Sequence, residues 1–221
     1  NKGLVLLELN MADCLVAGAL ASTSDVIKST LRIIGLKKQT KWVSSSFFLI
    51  SPDGEKAYTY SDCGVIPDPD SEQLVSIAHK ASEIHMAITG DTPKVAFLSF
   101  STHGSAEHYK VERVQKAVEI FRKKYPDIIH DGELQFDSAI NSEVSRKKTP
   151  DSILKGNANT FVFPDLNSAN IAYKITQYLA GYTAWGPLLQ GFNKPVHDLS
   201  RGCNVDDIIS VSVIAAMQSI K

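Results

Sequence analysis

Short apolar runs alternate with longer stretches of helical period along the chain, and turn-forming residues separate them. Asp13–Gly18 (DCLVAG) predicts a buried strand, because the run is short, apolar and closed by glycine. Asp25–Ile34 follows as a helix capped by Ser24, with Val26, Ile27, Thr30, Leu31 and Ile34 on one stripe. Val43–Ile50 and Lys56–Ser61 are β-rich and flank Ser51-Pro52-Asp53-Gly54, a group of turn formers that predicts a hairpin. Pro67-Asp68-Pro69-Asp70 stops the second of these strands, and a helix opens at Ser71 and runs to about Ile88. Lys94–Phe100 reads as a strand of the buried kind, and Tyr109–Tyr125 as an amphipathic helix ended by Pro126. Gly132–Phe136 and Thr160–Phe163 read as short strands, and Ser168–Leu179 as a helix. The last helix, from Val205 to Ile220, is apolar on nearly every side, which predicts that it is well buried. Strands alternating with helices in this way predict an α/β fold with a largely parallel sheet.

Composition narrows the function. With 221 residues and 43% of them hydrophobic, the chain is long and apolar enough for one large domain or two modest lobes, and is not a disordered one. Its 23 Lys+Arg against 24 Asp+Glu leave no excess positive charge to neutralise nucleic-acid phosphates, so no nucleic-acid partner is expected. No apolar run approaches the ~20 residues of a membrane helix, and Gly3–Leu9 lacks the basic start and cleavage pattern of a secretion signal. Cys14, Cys63 and Cys203 are odd in number and widely spaced, which excludes a disulfide framework or a paired-cysteine zinc site and predicts a reduced, cytoplasmic setting. The histidines at 79, 85, 103, 108, 130 and 197 form no metal-ligand spacing, so no metal is expected. Neither Gly-x-Gly-x-x-Gly nor a P-loop motif occurs. A first residue of Asn1 rather than Met suggests a piece of something longer.

Three stretches carry candidate chemistry. Asp198-Leu199-Ser200-Arg201-Gly202-Cys203-Asn204 puts a hydroxyl and a guanidinium just before the predicted start of the last helix. Helix N-termini hold anions through unpaired N–H groups, and Arg201 suits the bidentate grip of a phosphate or carboxylate. The same stretch also has a purely structural reading. Asn204 is a natural N-cap, and Asp207, at the third helical position, completes a capping box. A helix start and a neighbouring guanidinium favour the ionised form of a carboxylate, which weakens it as a base. Ser22-Thr23-Ser24-Asp25 is a second turn of hydroxyls before a helix, with Lys28 one turn in; N-capping and a solvated lysine account for it equally well. Ser99–Ser105 is a third polar loop after an apolar strand, but no nucleophile elbow accompanies His103, which reads as a loop residue. His197 reads as a hydrogen-bonded structural residue, and Cys203, with no partner base, as a bystander thiol.

Six stretches taken together resemble the phosphate acetyl/butyryl transferase family: MADCLVAGALASTSDVIKSTLRII, SDCGVIPDPDSEQL, KVAFLSFSTHGSA, DGELQFDSAI, FPDLNSANIAYKITQYLAG and GPLLQGFNKPVHDLSRGCNVDDII. They run in order from Met11 to Ile209 and so cover nearly the whole chain. The resemblance implies a two-lobed, three-layer α/β/α fold like that of the isocitrate and isopropylmalate dehydrogenases, with an active-site cleft between the lobes. The first lobe would comprise residues 1–39 and 189–221, and the second would be the insertion 40–188. The implied activity is reversible transfer of an acetyl group between acetyl phosphate and coenzyme A, with inorganic phosphate as co-product and no cofactor beyond the coenzyme A substrate. Carried over by motif, Ser200 and Arg201 would face the acyl phosphate and Asp207 would deprotonate the thiol. Ser22, Thr23 and Lys28 would contact substrate. The family's helix usually carries arginine where this chain has Lys28, and lysine lacks the bidentate geometry. The resemblance further implies a homodimer, and an N-terminal part of the first lobe, with another arginine, that this chain lacks. Two alternatives stand beside this reading. One is phosphate butyryltransferase. The other is a non-catalytic acetyl-coenzyme A-sensing module like those appended to malic enzymes, against which the joint presence of Ser200, Arg201 and Asp207 argues.

Overall fold

The computed structural model of the chain describes residues 1–220. Its helices are α1 (Lys2–Glu8), α2 (Thr23–Ile33), α3 (Ser71–Thr89), α4 (Tyr109–Lys124), α5 (Phe136–Ile140), α6 (Ser142–Lys148), α7 (Leu166–Ala180) and α8 (Val205–Ser219). Its strands are β1 (Leu15–Gly18), β2 (Ser44–Ile50), β3 (Ala57–Ser61), β4 (Lys94–Leu98), β5 (Ile129–Leu134), β6 (Thr160–Val162), β7 (Thr183–Gln190) and β8 (Val196–Leu199). They form two sheets. A parallel pair joins β1 to β8, and a six-stranded sheet has the order β5-β4-β6-β3-β2-β7.

The larger sheet is mixed rather than largely parallel. β5, β4, β6 and β3 run parallel, whereas β2 is antiparallel to both β3 and β7. The predicted hairpin accounts for half of this difference. Gly54, at φ +74°, donates its amide to the Ser51 carbonyl, and the Ser51 hydroxyl accepts from the Lys56 amide at 2.9 Å. Those bonds close the turn at Pro52-Asp53 and force the next strand back alongside β2. The other half comes from β7, which returns beside β2 as an edge strand; its Gly-Pro sequence hid it from a reading based on strand propensity.

Both faces of the six-stranded sheet are covered, as its continuous apolar runs require. On β4, Val95 and Phe97 face α3 and α4, where they meet Leu74, Ile77, Val114, Val118 and Phe121. Ala96 and Leu98 face the other way, into a core with Phe47, Tyr60, Phe161, Ala139 and Tyr173 on the α5 and α7 side. The β1–β8 pair is also a sandwich. Leu4, Leu7 and Val26 of α1 and α2 pack with Val196, while Val211 and Ile214 of α8 pack with Leu199 and with Phe48 and Leu188 of the larger sheet.

The two sheets are tied together by His197. Its Nδ1 accepts from the Leu189 amide of β7 at 3.1 Å, and its Nε2 bonds Gln218 Oε1 of α8 at 2.8 Å. Burial holds its pKa down at about 4, so the ring is neutral and structural, in agreement with the sequence reading. A second buried clamp is Asp62, whose carboxylate accepts from the Ser45 amide and hydroxyl and from the amides of Gly64, Val65 and Ile66. Both oxygens of Asp62 are thus engaged, and the carboxylate holds the Gly64–Ile66 loop in place.

Two further expectations are corrected. The cap of α2 is Ser22 rather than Ser24: the Ser22 hydroxyl accepts from the Asp25 amide, and the helix already includes Thr23. Helix α8 is not well buried. Val211, Ile214 and Ala215 are covered, but Val205 is 69% exposed and Val213 53% exposed. One face of α8 packs on β1, β7, β8 and α3, and the opposite side stays exposed. No helix among the described residues is long and apolar enough to cross a membrane.

Candidate active site

The parallel pairing of β1 and β8 brings two candidate loops to one end of one small sheet. In register, Gly18 lies opposite Leu199, so both strands finish side by side. The chain leaves β1 through Ala19–Ser22 into α2, and leaves β8 through Ser200–Asn204 into α8. The two helices lie on opposite faces of the pair and both begin at its carboxyl end. In α/β folds this is where ligands bind, because strand ends, flexible loops and the N–H groups of helix starts converge there. Ser22, Thr23, Ser200, Arg201 and Asp207, more than 170 residues apart at the extremes of the chain, all lie at this end.

Gly18 makes the close approach possible. At φ +94° it occupies backbone space that side-chain-bearing residues avoid, and an added Cβ would lie 2.5 Å from the Leu199 nitrogen. Ala19 then donates its amide to the Leu199 carbonyl at 3.0 Å, which ties the first loop to the second. Within the second loop the Cys203 amide donates to the Ser200 carbonyl and the Gly202 amide to the Ser200 hydroxyl, forming a tight turn that leaves Ser200 and Arg201 exposed.

Asp207 forms the predicted capping box. Its carboxylate accepts from the Asn204 amide at 3.0 Å, while its own amide donates to the Asn204 side-chain oxygen at 2.9 Å. Only one carboxylate oxygen is engaged, so the other retains its lone pairs for a proton or a ligand. Lys28 is exposed on α2 and makes no hydrogen bond or ion pair among the described residues. Thr23 is engaged: its hydroxyl lies 2.5 Å from Asp198 Oδ2.

Asp198 is the functional candidate that the sequence reading passed over. It is 1% exposed, in the short, fully buried strand Val196–Leu199 that leads to Ser200. Burial pushes its carboxyl above the ordinary carboxylate range, against the opposing pull of Thr23 and of the Leu199 amide. A signal existed in the sequence, since an aspartate between His197 and Leu199 in a short strand closed by Ser200 demands a partner once that strand is buried.

Other features lie elsewhere. His103 sits on the loop after β4 with its Nε2 3.2 Å from Asp131 Oδ1, and shares no hydrogen bond with the β1–β8 loops. A cavity of about 680 Å³ opens at the opposite end of the pair, beside Asp13 and Pro195, with Lys37, Lys80 and Lys194 around it. No group of His, Cys, Asp and Glu side chains among the described residues has the arrangement of a metal site.

Residues 1–216 match the model of the phosphate acetyl/butaryl transferase family. The chain belongs to that family. A phosphate acetyltransferase of Bacillus subtilis is 44% identical over 218 residues, a span of 99% of this chain and 67% of that protein. The structure of a phosphotransacetylase from Streptococcus pyogenes superposes with a TM-score of 0.94 at 43% identity, covering 99% of this chain and 66% of that one. The chain thus spans about two thirds of the length of these family members. A 4-hydroxythreonine-4-phosphate dehydrogenase from Klebsiella pneumoniae shares the fold at 10% identity, with a TM-score of 0.58 over 99% of this chain and 68% of that one. The fold is the expected two-lobed α/β/α architecture shared with dehydrogenases of this kind.

Proposed function

We propose that this family member performs phosphate acetyltransferase chemistry, the reversible transfer of an acetyl group between acetyl phosphate and coenzyme A, at the carboxyl end of the β1–β8 pair. The observation that carries the reading is the convergence of Ser22, Thr23, Ser200, Arg201 and Asp207 on two helix N-termini, in a chain 44% identical to a phosphate acetyltransferase.

The chemistry follows from those groups. The free oxygen of Asp207 takes the proton of the coenzyme A thiol, whose unperturbed pKa near ~8.5 leaves it mostly protonated at neutral pH. The thiolate forms a bond to the acetyl carbonyl carbon, and the carbonyl π electrons move onto oxygen. N–H donors of the helix start and the Ser200 hydroxyl stabilise that oxyanion. Its collapse breaks the carbon–oxygen bond to phosphate, and Arg201 holds the departing phosphate through two parallel hydrogen bonds. Electrons balance within the two substrates, so the proposed reaction includes no resident cofactor and no metal. Lys28 supplies a point charge to the same anion. Our proposal extends to the lobe boundaries given above, a homodimer and a reduced, cytoplasmic setting, for which the three free thiols are suited.

The test is a coupled assay on the native-length polypeptide that follows coenzyme A acylation with acetyl, propionyl and butyryl phosphate. The reading expects turnover with the acetyl substrate. A preference for the butyryl substrate would reassign the acyl pocket, and no turnover with any of the three would sink the proposal in favour of a sensing role.

A further inference from the structure

One buried group at this end of the sheet is left without a full set of partners. Asp198 carries a carboxyl whose Oδ2 lies 2.5 Å from Thr23 Oγ1, while its Oδ1 is buried with no hydrogen-bond partner. Oδ1 faces the backbone of β1, where a Cβ on Gly18 would come within 2.2 Å of it, so a side chain at position 18 would collide with this oxygen as well as with the Leu199 backbone. The titratable and charged groups on the elements around it are Asp13 and Cys14 before β1, Asp25 and Lys28 on α2, Arg201 and Cys203 in the following loop, and Asp206 and Asp207 on α8. His197, its neighbour on β8, turns to Leu189 and Gln218 instead. None of these groups hydrogen-bonds or ion-pairs with Asp198 among the described residues.

An ionised carboxylate in this position would have one hydroxyl donor, the pull of its neighbouring Leu199 amide, no cation and one buried oxygen without a hydrogen bond, an arrangement in which burial outweighs the donors and disfavours the charge. The neutral acid fits it: one oxygen carries the proton, and the other, a carbonyl oxygen, tolerates a missing donor far better. With the proton on Oδ2, the acid donates to Thr23 Oγ1. The threonine hydroxyl then has its own hydrogen free to turn toward the loop between the two helix starts. If the acid were ionised, Thr23 would have to donate inward and would present only lone pairs to an approaching phosphate. We propose that Asp198 is a positioning residue that, as a neutral carboxylic acid, sets Thr23 as a hydrogen-bond donor to the phosphoryl group of the substrate. The proposal rests on the acyl-phosphate reading of the site. It goes further by assigning the donor–acceptor sense of a residue pair that the transferase motif alone leaves open.

The first measurement does not depend on activity. Infrared difference spectra of the native-length protein and D198N at neutral pH should show a protonated-carboxyl C=O band that the asparagine variant lacks. The second is the KM for acetyl phosphate as a function of pH. In the wild type KM should rise on the alkaline side, as Asp198 ionises and recaptures the threonine proton. D198N, whose amide donates to Thr23 at every pH, should show a flat KM profile across the alkaline range. T23V should raise KM by about 10-fold or more with a smaller change in kcat, as loss of a hydrogen bond to a charged group requires. Circular dichroism melts serve as the check that each variant folds, and D198N is nearly isosteric. Activity without the carboxyl band, or identical pH profiles for wild type and D198N, overturns the acid assignment and leaves the transferase reading standing. The band without transfer from any acyl phosphate keeps the neutral acid–threonine pair and overturns the transferase reading.

Discussion

Replacing Asp207 by asparagine separates its two roles. As a cap, Asp207 contributes one accepted hydrogen bond, from the Asn204 amide at 3.0 Å, and one negative charge at a helix start. Asparagine keeps an acceptor oxygen for that amide and loses only the charge, which is worth about 0.3–1 kcal/mol at an exposed helix N-terminus. D207A loses the bond as well, a cost of about 0.5–2 kcal/mol. As a base, the carboxylate contributes about 10²–10⁴-fold, or roughly 3–5 kcal/mol of transition-state stabilisation, and asparagine abolishes all of it. We therefore expect D207N to unfold in urea within about 1 kcal/mol of the wild type, while kcat falls by about 10²-fold or more with KM for coenzyme A nearly kept. D207A should match D207N in turnover but be measurably less stable. Urea titration followed by circular dichroism, run beside the coupled assay on the native-length polypeptide, gives both numbers. Turnover of D207N within about threefold of the wild type would refute the base and leave the capping box as its whole function.

Arg201→Lys keeps the charge at an exposed turn but loses the two parallel donors, so kcat/KM for acetyl phosphate should drop about 10-fold or more; an unchanged value would remove the clamp. Gly18→Ala forces a positive φ on a residue whose Cβ would meet Asp198 and Leu199 backbone, and should cost about 2–5 kcal/mol in urea unfolding; a loss below about 0.5 kcal/mol would show that the strands can part. His197, held down at about 4 against an ordinary value near 6.5, binds its proton more readily in the unfolded chain. Its contribution, about 3 kcal/mol, is therefore complete above pH ~6.5 and lost as pH falls toward ~4. Urea midpoints measured across that range should fall less steeply in H197Q, and equal slopes in the two proteins would contradict the assignment. His85, buried and also lowered to about 4, adds a loss of the same sign in both.

What the sequence determines by itself is what short-range bonds decide. The turn at Ser51–Gly54, the Asn204–Asp207 capping box and the start of α3 all close within a few residues, and each was legible because its donors and acceptors are near neighbours in the chain. Strand β4 was legible as a buried one for a related reason, since a strand covered on both faces shows as a continuous apolar run. Family resemblance supplied the candidate residues but not their geometry. The tertiary structure alone decided that Thr23 touches Asp198, 175 residues away, because parallel pairing of β1 with β8 sets which side chains meet, and no local pattern encodes that register. It also decided the antiparallel return of β7 and the exposed side of α8. A helix that is apolar all round shows a demand for burial, but only the elements packed around it determine how much of that demand is met.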